Sequence, residues 1–185
     1  SARNGLNAIL TIDSGIQNIV EMELALAMEK HRAAGVTAIV VRPRNGNVLA
    51  MANLPTFDPW HPGDFDASAR RNRAVTDTFE PGSTFKAVTV AGALNEGLVT
   101  LQTQFHCSNG RLFYAGKILH DHHSYGLLTV EKIITKSSNI GAAKVGMRLG
   151  APRLHQYIRD FGFGSRTGIN LPGEVAGIVH PLKKW

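Results

Sequence analysis

A chain of 185 residues has room for one domain with a real core, and 43% hydrophobic with 18% charged residues is a globular composition, neither disordered nor fibrous. The formal charge of +6 is carried by scattered residues such as Arg42, Arg44, Arg70, Arg73, Lys183 and Lys184. With no long basic run and no aromatic–basic interleaving, it reads as a solubilising surface and gives no support for nucleic-acid binding. Cys107 is the single cysteine, which excludes an internal disulfide. No apolar run reaches 18 residues, so no membrane-spanning helix is predicted, and no signal peptide is read at the start.

Ser14-Gly15-Ile16-Gln17 has capping-box spacing. Ile16, Ile19, Val20, Leu24 and Ala27 follow with helical periodicity, Glu23 being the polar exception, and Gly35 is expected to end the helix. Val36 to Val41 and Val48 to Ala52 read as strands joined through Asn45-Gly46, a strong hairpin signal. Pro55, Pro59, Pro62 and Gly63 break residues 53–66 into a loop. A helix then carries Phe85, Val88, Val90, Ala91, Ala93 and Leu94 and closes near Gly97. Being apolar nearly all round, it is expected to be buried. From Val130 onward the pattern is helices joined by Gly-rich turns. There is no internal repeat or low-complexity segment.

The buried helix begins with Glu80-Pro81-Gly82-Ser83-Thr84-Phe85-Lys86. Ser83 and Lys86 stand three positions apart, which on a helix sets their β-carbons roughly 5–6 Å apart on one face. The positive end of the helix dipole disfavours a lysine in the first turn. That position, with apolar neighbours, favours the neutral amine. A neutral amine beside a hydroxyl is a base beside a nucleophile. The same spacing also fits an N-cap serine and a solvated lysine. Ser137-Ser138-Asn139, 54 positions on, reads as S-x-N just before a helical run from Ile140 to Leu149. Ser137 can relay a proton, and Asn139 can hold a substrate carbonyl or the lysine; a helix cap is the alternative.

Other motifs carry less. In His120-Asp121-His122-His123 the adjacent side chains diverge, so a loop is preferred over a metal site. One of these histidines is a candidate to line the cleft. Gly162-Phe163-Gly164 follows a helix rather than a strand, unlike a dinucleotide fingerprint. Asp121 and Glu131 are candidate carboxylate bases. No Glu-x-x-Leu-Asn follows Ser137.

On these motifs the chain resembles the transpeptidase domain of class B penicillin-binding proteins. Further segments carry the resemblance in the family's order. They include Leu10-Thr11-Ile12-Asp13, Gly46 to Asn53, Arg71-Asn72-Arg73-Ala74-Val75, Gly126 to Val130, Phe161-Gly162-Phe163-Gly164 and Ile169 to Glu174. The implied fold is the α/β (α+β) β-lactamase/transpeptidase-like fold. Residues 1–60 would form its helix-plus-hairpin portion, and residues 61–185 its mainly helical portion. The implied catalytic residues are Ser83 as nucleophile, Lys86 as base, Ser137 as proton relay and Asn139 as donor-orienting amide. No metal and no organic cofactor is implied.

The implied activity is cross-linking of peptidoglycan stem peptides through an acyl-serine, with β-lactams as mimics of the donor. A penicillin-sensing domain and a non-catalytic structural module are the rival readings. The family's K-T-G motif is absent; Arg166-Thr167-Gly168 is rejected as a stand-in because it comes too soon after Ser137. The chain is therefore expected to be the first part of the domain and inactive alone. The rest of the domain, or a second chain, would cover the hairpin's open edge. Cell-division or elongation proteins of the envelope are the implied partners. The implied location is the extracytoplasmic (periplasmic) face of the inner membrane, held there by an anchor outside these residues.

Overall fold

The structure, a computed structural model, describes residue 5 and residues 7–185. It divides into two compact units. The first takes in the chain as far as Asp77 together with Asn170–Glu174, and the second comprises Thr78–Ile169 and Val175–Trp185.

The first unit is a helix laid on a hairpin. Helix α1 spans Ser14–His31 and packs chiefly on β2. Its cap is Asp13, not Ser14: the Asp13 carboxylate accepts from the N–H groups of Gly15 and Ile16 at 3.0 and 3.1 Å. Gln17, expected to complete a capping box, reaches across to β2 instead. Its amide nitrogen donates to Met51 O at 3.0 Å and its amide oxygen accepts from Met51 N at 2.9 Å. The side chain thus pairs with β2 as a neighbouring strand would. The helix also ends before Gly35, because Arg32 takes the left-handed conformation (φ 48°) and closes it.

Strands β1 (Val36–Val41) and β2 (Val48–Leu54) pair antiparallel, Val36 opposite Leu54 and Ala38 opposite Ala52. Gly46 supplies the positive φ of 75° that the turn requires, as the Asn-Gly signal predicts. Ala50 and Ala52 are buried beneath α1, while Ile39 and Val41 remain well exposed. Helix α2 (Arg73–Thr76) follows the proline-rich loop and is tied to β2, the Asn53 amide oxygen accepting from Ala74 N at 3.0 Å.

The second unit is built around helix α3 (Lys86–Asn95), which packs against α5 (Asn139–Leu149) and α6 (Ala151–Asp160). Short α4 (Val130–Thr135) completes the helical layer. Val90, Ala93, Val130, Ile133, Ile140 and Val145 form the centre of the core. Val88, Thr89, Val90, Gly92 and Ala93 of α3 are buried, as its apolar sequence predicts. Four short strands went unread in the sequence: β3 (Gln104–His106) pairs with β6 (Leu127–Thr129), and β4 (Arg111–Tyr114) with β5 (Lys117–His120). At three or four residues each they are too short to show an alternation. The β4–β5 turn is Ala115-Gly116, both at positive φ, where a stronger signal would be Asn-Gly. Among the described residues no helix is long and apolar enough to cross a membrane.

Helices α4 and α5 approach closely at Gly141. A β-carbon there would lie 2.5 Å from Ile133 Cγ1 and 2.8 Å from its Cδ1. Ile133 is fully buried and has nowhere to retreat. Gly141→Ala is therefore expected to lower unfolding stability by about 1–3 kcal/mol, the usual cost of overpacking. Urea unfolding measures this, and an unchanged midpoint would contradict the close contact.

Candidate active site

Ser83 does not lie in the α-helix itself, as the motif suggested, but in the 3-10 turn Gly82–Phe85 that leads into it. Gly82 enters the turn at φ 59°, and the Thr84 hydroxyl donates to Pro81 O at 2.6 Å. Lys86 is the first residue of α3. The three-residue separation survives the tighter winding, and Lys86 Nζ stands 3.1 Å from Ser83 Oγ. Phe85, between them, packs against Phe163 in a T-shaped pair at a centroid distance of 5.6 Å. The Phe161-Gly-Phe-Gly segment thus braces the turn that presents the serine.

Ser137 arrives from the other side. It is the left-handed residue (φ 54°) that ends α4, with its N–H donating to Ile134 O and the Ser138 N–H to Ile133 O, both at 3.0 Å. This turn aims Ser137 at the lysine. Lys86 Nζ donates to Ser137 O at 2.6 Å and to Ser137 Oγ at 2.9 Å, and Ser137 Oγ donates to Ser83 Oγ at 3.0 Å. Ser83, Lys86 and Ser137 therefore form a closed triangle of hydrogen-bonded groups. Burial pushes the Lys86 amine below its ordinary range, and the Asp121 charge opposes this in part.

The next two residues face elsewhere. Ser138 is fully buried and caps α5, accepting from Gly141 N at 2.9 Å. Asn139 opens α5, and its amide nitrogen donates to His120 O at 2.8 Å. The structure thus brings three of the four sequence-derived residues into contact and sets Asn139 beside them through the same turn, its amide engaged with β5 rather than with Lys86.

Asp121 is the residue whose place sequence reasoning did not find. Weighed as a carboxylate base, it is occupied by α5: Oδ2 accepts from Ser138 Oγ at 2.8 Å, and Oδ1 accepts from the N–H groups of Asn139 and Ile140. No local signal reveals this, because the pairing crosses 17 to 19 positions of chain. Among the described residues no group of three or more His, Cys, Asp or Glu could hold a metal ion. Arg166–Gly168 lies in irregular chain beyond α6 and not on a strand.

Beside the triangle lies a pocket of ≈ 430 Å³. Ser83, Thr84, Lys86 and Ser137 provide its polar edge, and Ala87, Val90, Ala91, Leu94 and Ile134 its apolar wall. A hydroxyl, an amine whose protonated form is disfavoured by burial and a second hydroxyl thus meet at the edge of an apolar pocket, the arrangement that an activated serine nucleophile requires.

Comparison with known proteins shows the family of the chain. The family model described as penicillin binding protein transpeptidase domain matches residues 36–185. The probable peptidoglycan D,D-transpeptidase PenA of Neisseria meningitidis is 38% identical over 183 residues, covering 99% of this chain and 31% of the relative. Stage V sporulation protein D of Bacillus subtilis is 40% identical over 185 residues, covering 98% of this chain and 29% of the relative. The solved TP domain of penicillin-binding protein 3 from Burkholderia pseudomallei superposes with a TM-score of 0.84 at 36% identity, covering 99% of this chain and 51% of that one. A structure described as a peptidoglycan glycosyltransferase from Burkholderia ambifaria matches with the same TM-score at 39% identity, over 95% of this chain and 52% of that one. The chain belongs to the penicillin-binding protein transpeptidase family, in agreement with the resemblance read from its motifs. It spans roughly a third of the length of these curated relatives and half of the solved chains.

Proposed function

We propose that these residues supply the nucleophile, base and proton relay of a peptidoglycan D,D-transpeptidase. The observation that carries this reading is the mutual contact of Ser83, Lys86 and Ser137. A neutral lysine has two hydrogens and one lone pair. It can donate to Ser137 O and Ser137 Oγ while its lone pair accepts the Ser83 hydroxyl proton. Ser83 Oγ then attacks the carbonyl carbon between the two terminal D-alanines of a donor stem peptide. The Ser83 N–H, in the turn ahead of α3, supports the developing oxyanion. As the C–N bond breaks, the proton held by Lys86 passes through Ser137 to the leaving D-alanine amine. Asn139 orients the donor chain from the start of α5.

The acyl-serine is then attacked by an amine on a neighbouring stem. The ester C–O bond breaks, a new amide forms, and the amine's proton returns to Ser83 Oγ through Lys86. β-Lactams present a strained amide to the same serine and acylate it. Among the described residues that line the adjoining pocket none is a carboxylate that would activate water, which supports a long-lived acyl-enzyme. The substrate places this reaction outside the cytoplasmic membrane, where a membrane anchor and envelope division or elongation proteins would hold the enzyme.

The test is a stem-peptide mimic ending in D-Ala-D-Ala, offered with a D-amino acid acceptor to a polypeptide spanning the full length of the relatives. Release of D-alanine together with the acceptor-linked peptide is expected. Turnover that persists in Ser83→Ala would overturn the assignment.

A further inference from the structure

Resting on the catalytic roles assigned above, we infer that Asp121 is a positioning residue: its carboxylate locks the Ser137–Ser138–Asn139 turn so that Ser137 stays on Lys86. Three donors of that turn and the first residues of α5 converge on this one side chain. They are the Ser138 hydroxyl at 2.8 Å, the Ile140 N–H at 3.0 Å and the Asn139 N–H. Bonds to an ionised acceptor are stronger than neutral ones, and these satisfy helix N–H groups that have no partner within α5.

The lock matters because Ser137 is held in a costly conformation. A non-glycine residue at φ 54° persists only where its surroundings over-determine it. On one side it is fixed by the end of α4. On the other side it is joined to Ser138, which is fully buried and bonded to both Asp121 and Gly141 N. Releasing Ser138 frees the residue that hands its carbonyl and hydroxyl to Lys86.

Asp121 is itself anchored. Its N–H donates to Gly110 O at 3.1 Å, and Ser124 Oγ, three positions on, donates to Asn109 O at 3.1 Å. Gly110 is at φ 85° with room for no side chain, since a β-carbon would meet His123 O at 3.1 Å. The His120–Ser124 stretch is therefore a rigid bracket from the β4–β5 hairpin to the second motif. Within it the carboxylate of Asp121 makes the bonds to the second motif.

Asparagine separates positioning from charge. In Asp121→Asn the remaining oxygen still accepts from Asn139 and Ile140, and the amide nitrogen donates to Ser138 Oγ. In Asp121→Ala nothing caps them. The experiment measures penicillin acylation in a polypeptide of the relatives' full length, resolving reversible binding from the acylation step. Asp121→Ala is expected to slow the acylation step about 10²-fold, the cost of a displaced catalytic group, with reversible binding unchanged. Asp121→Asn is expected to restore most of the rate.

Equal losses in both variants, or none in the alanine variant, would overturn the inference. Should the alanine variant not fold, Asp121→Ser takes its place, with a rate expected between alanine and asparagine. Amide NMR decides the point even if Ser83 proves not to be acylated. The Asn139 and Ile140 N–H signals should shift in Asp121→Ala and hold near their positions in Asp121→Asn. Unmoved signals in the alanine variant refute the lock.

Discussion

Lys86→Arg is expected to lose acylation by penicillin, by about 10²–10⁴-fold, the range of a general base. Arginine keeps the charge and much of the reach of lysine but stays protonated at any accessible pH, so it cannot accept the Ser83 proton. In the native protein burial already pushes the amine below its ordinary range. The sign follows: as pH falls through the amine's pKa in the folded protein, Lys86 gains a proton and acylation slows. The acid limb of the wild-type profile should therefore lie below the ordinary lysine range. Stopped-flow acylation across pH tests both parts. An arginine variant with the wild-type rate would make Lys86 a mere electrostatic support.

Ser83→Ala is expected to remove covalent labelling by fluorescent penicillin altogether while leaving the fold intact. Ser83 is exposed in its 3-10 turn, and its hydroxyl hydrogen-bonds to Lys86 and Ser137. Exposed substitutions of this kind usually change stability by less than about 0.5 kcal/mol. Loss of labelling with an unchanged unfolding curve is thus the expected pair of results. Retained labelling would place the nucleophile elsewhere. Loss of both would leave the serine with a structural role that the geometry does not show.

What the sequence made legible was spacing and strong local chemistry. The Ser83–Lys86 separation predicts contact, and contact survives although the first turn is 3-10. Asn45-Gly46 marks the hairpin, and the apolar run after Lys86 marks the buried helix. The resemblance carried by the segments from Gly46 to Glu174 agrees with the family match over residues 36–185.

What stayed illegible depends on distant partners. Gln17 looks like half of a capping box until β2 offers it the Met51 backbone. Asp121 looks like a free carboxylate until α5 begins beside it. Ser137 gives no sign in sequence of its left-handed backbone, since serine has no special preference for it. Strands of three and four residues show no period at all, and they form because Phe105, Leu112 and Leu119 pack against the core around them.

The central claim is that the Ser83 hydroxyl, activated by Lys86, is the group that becomes acylated. Peptide mapping by mass spectrometry after brief exposure of a polypeptide of the relatives' full length to a β-lactam tests it most directly. One stoichiometric adduct is expected, the intact drug mass added to the peptide containing Ser83, and none in Ser83→Ala. A stoichiometric adduct on any other residue, Ser137 included, would contradict it.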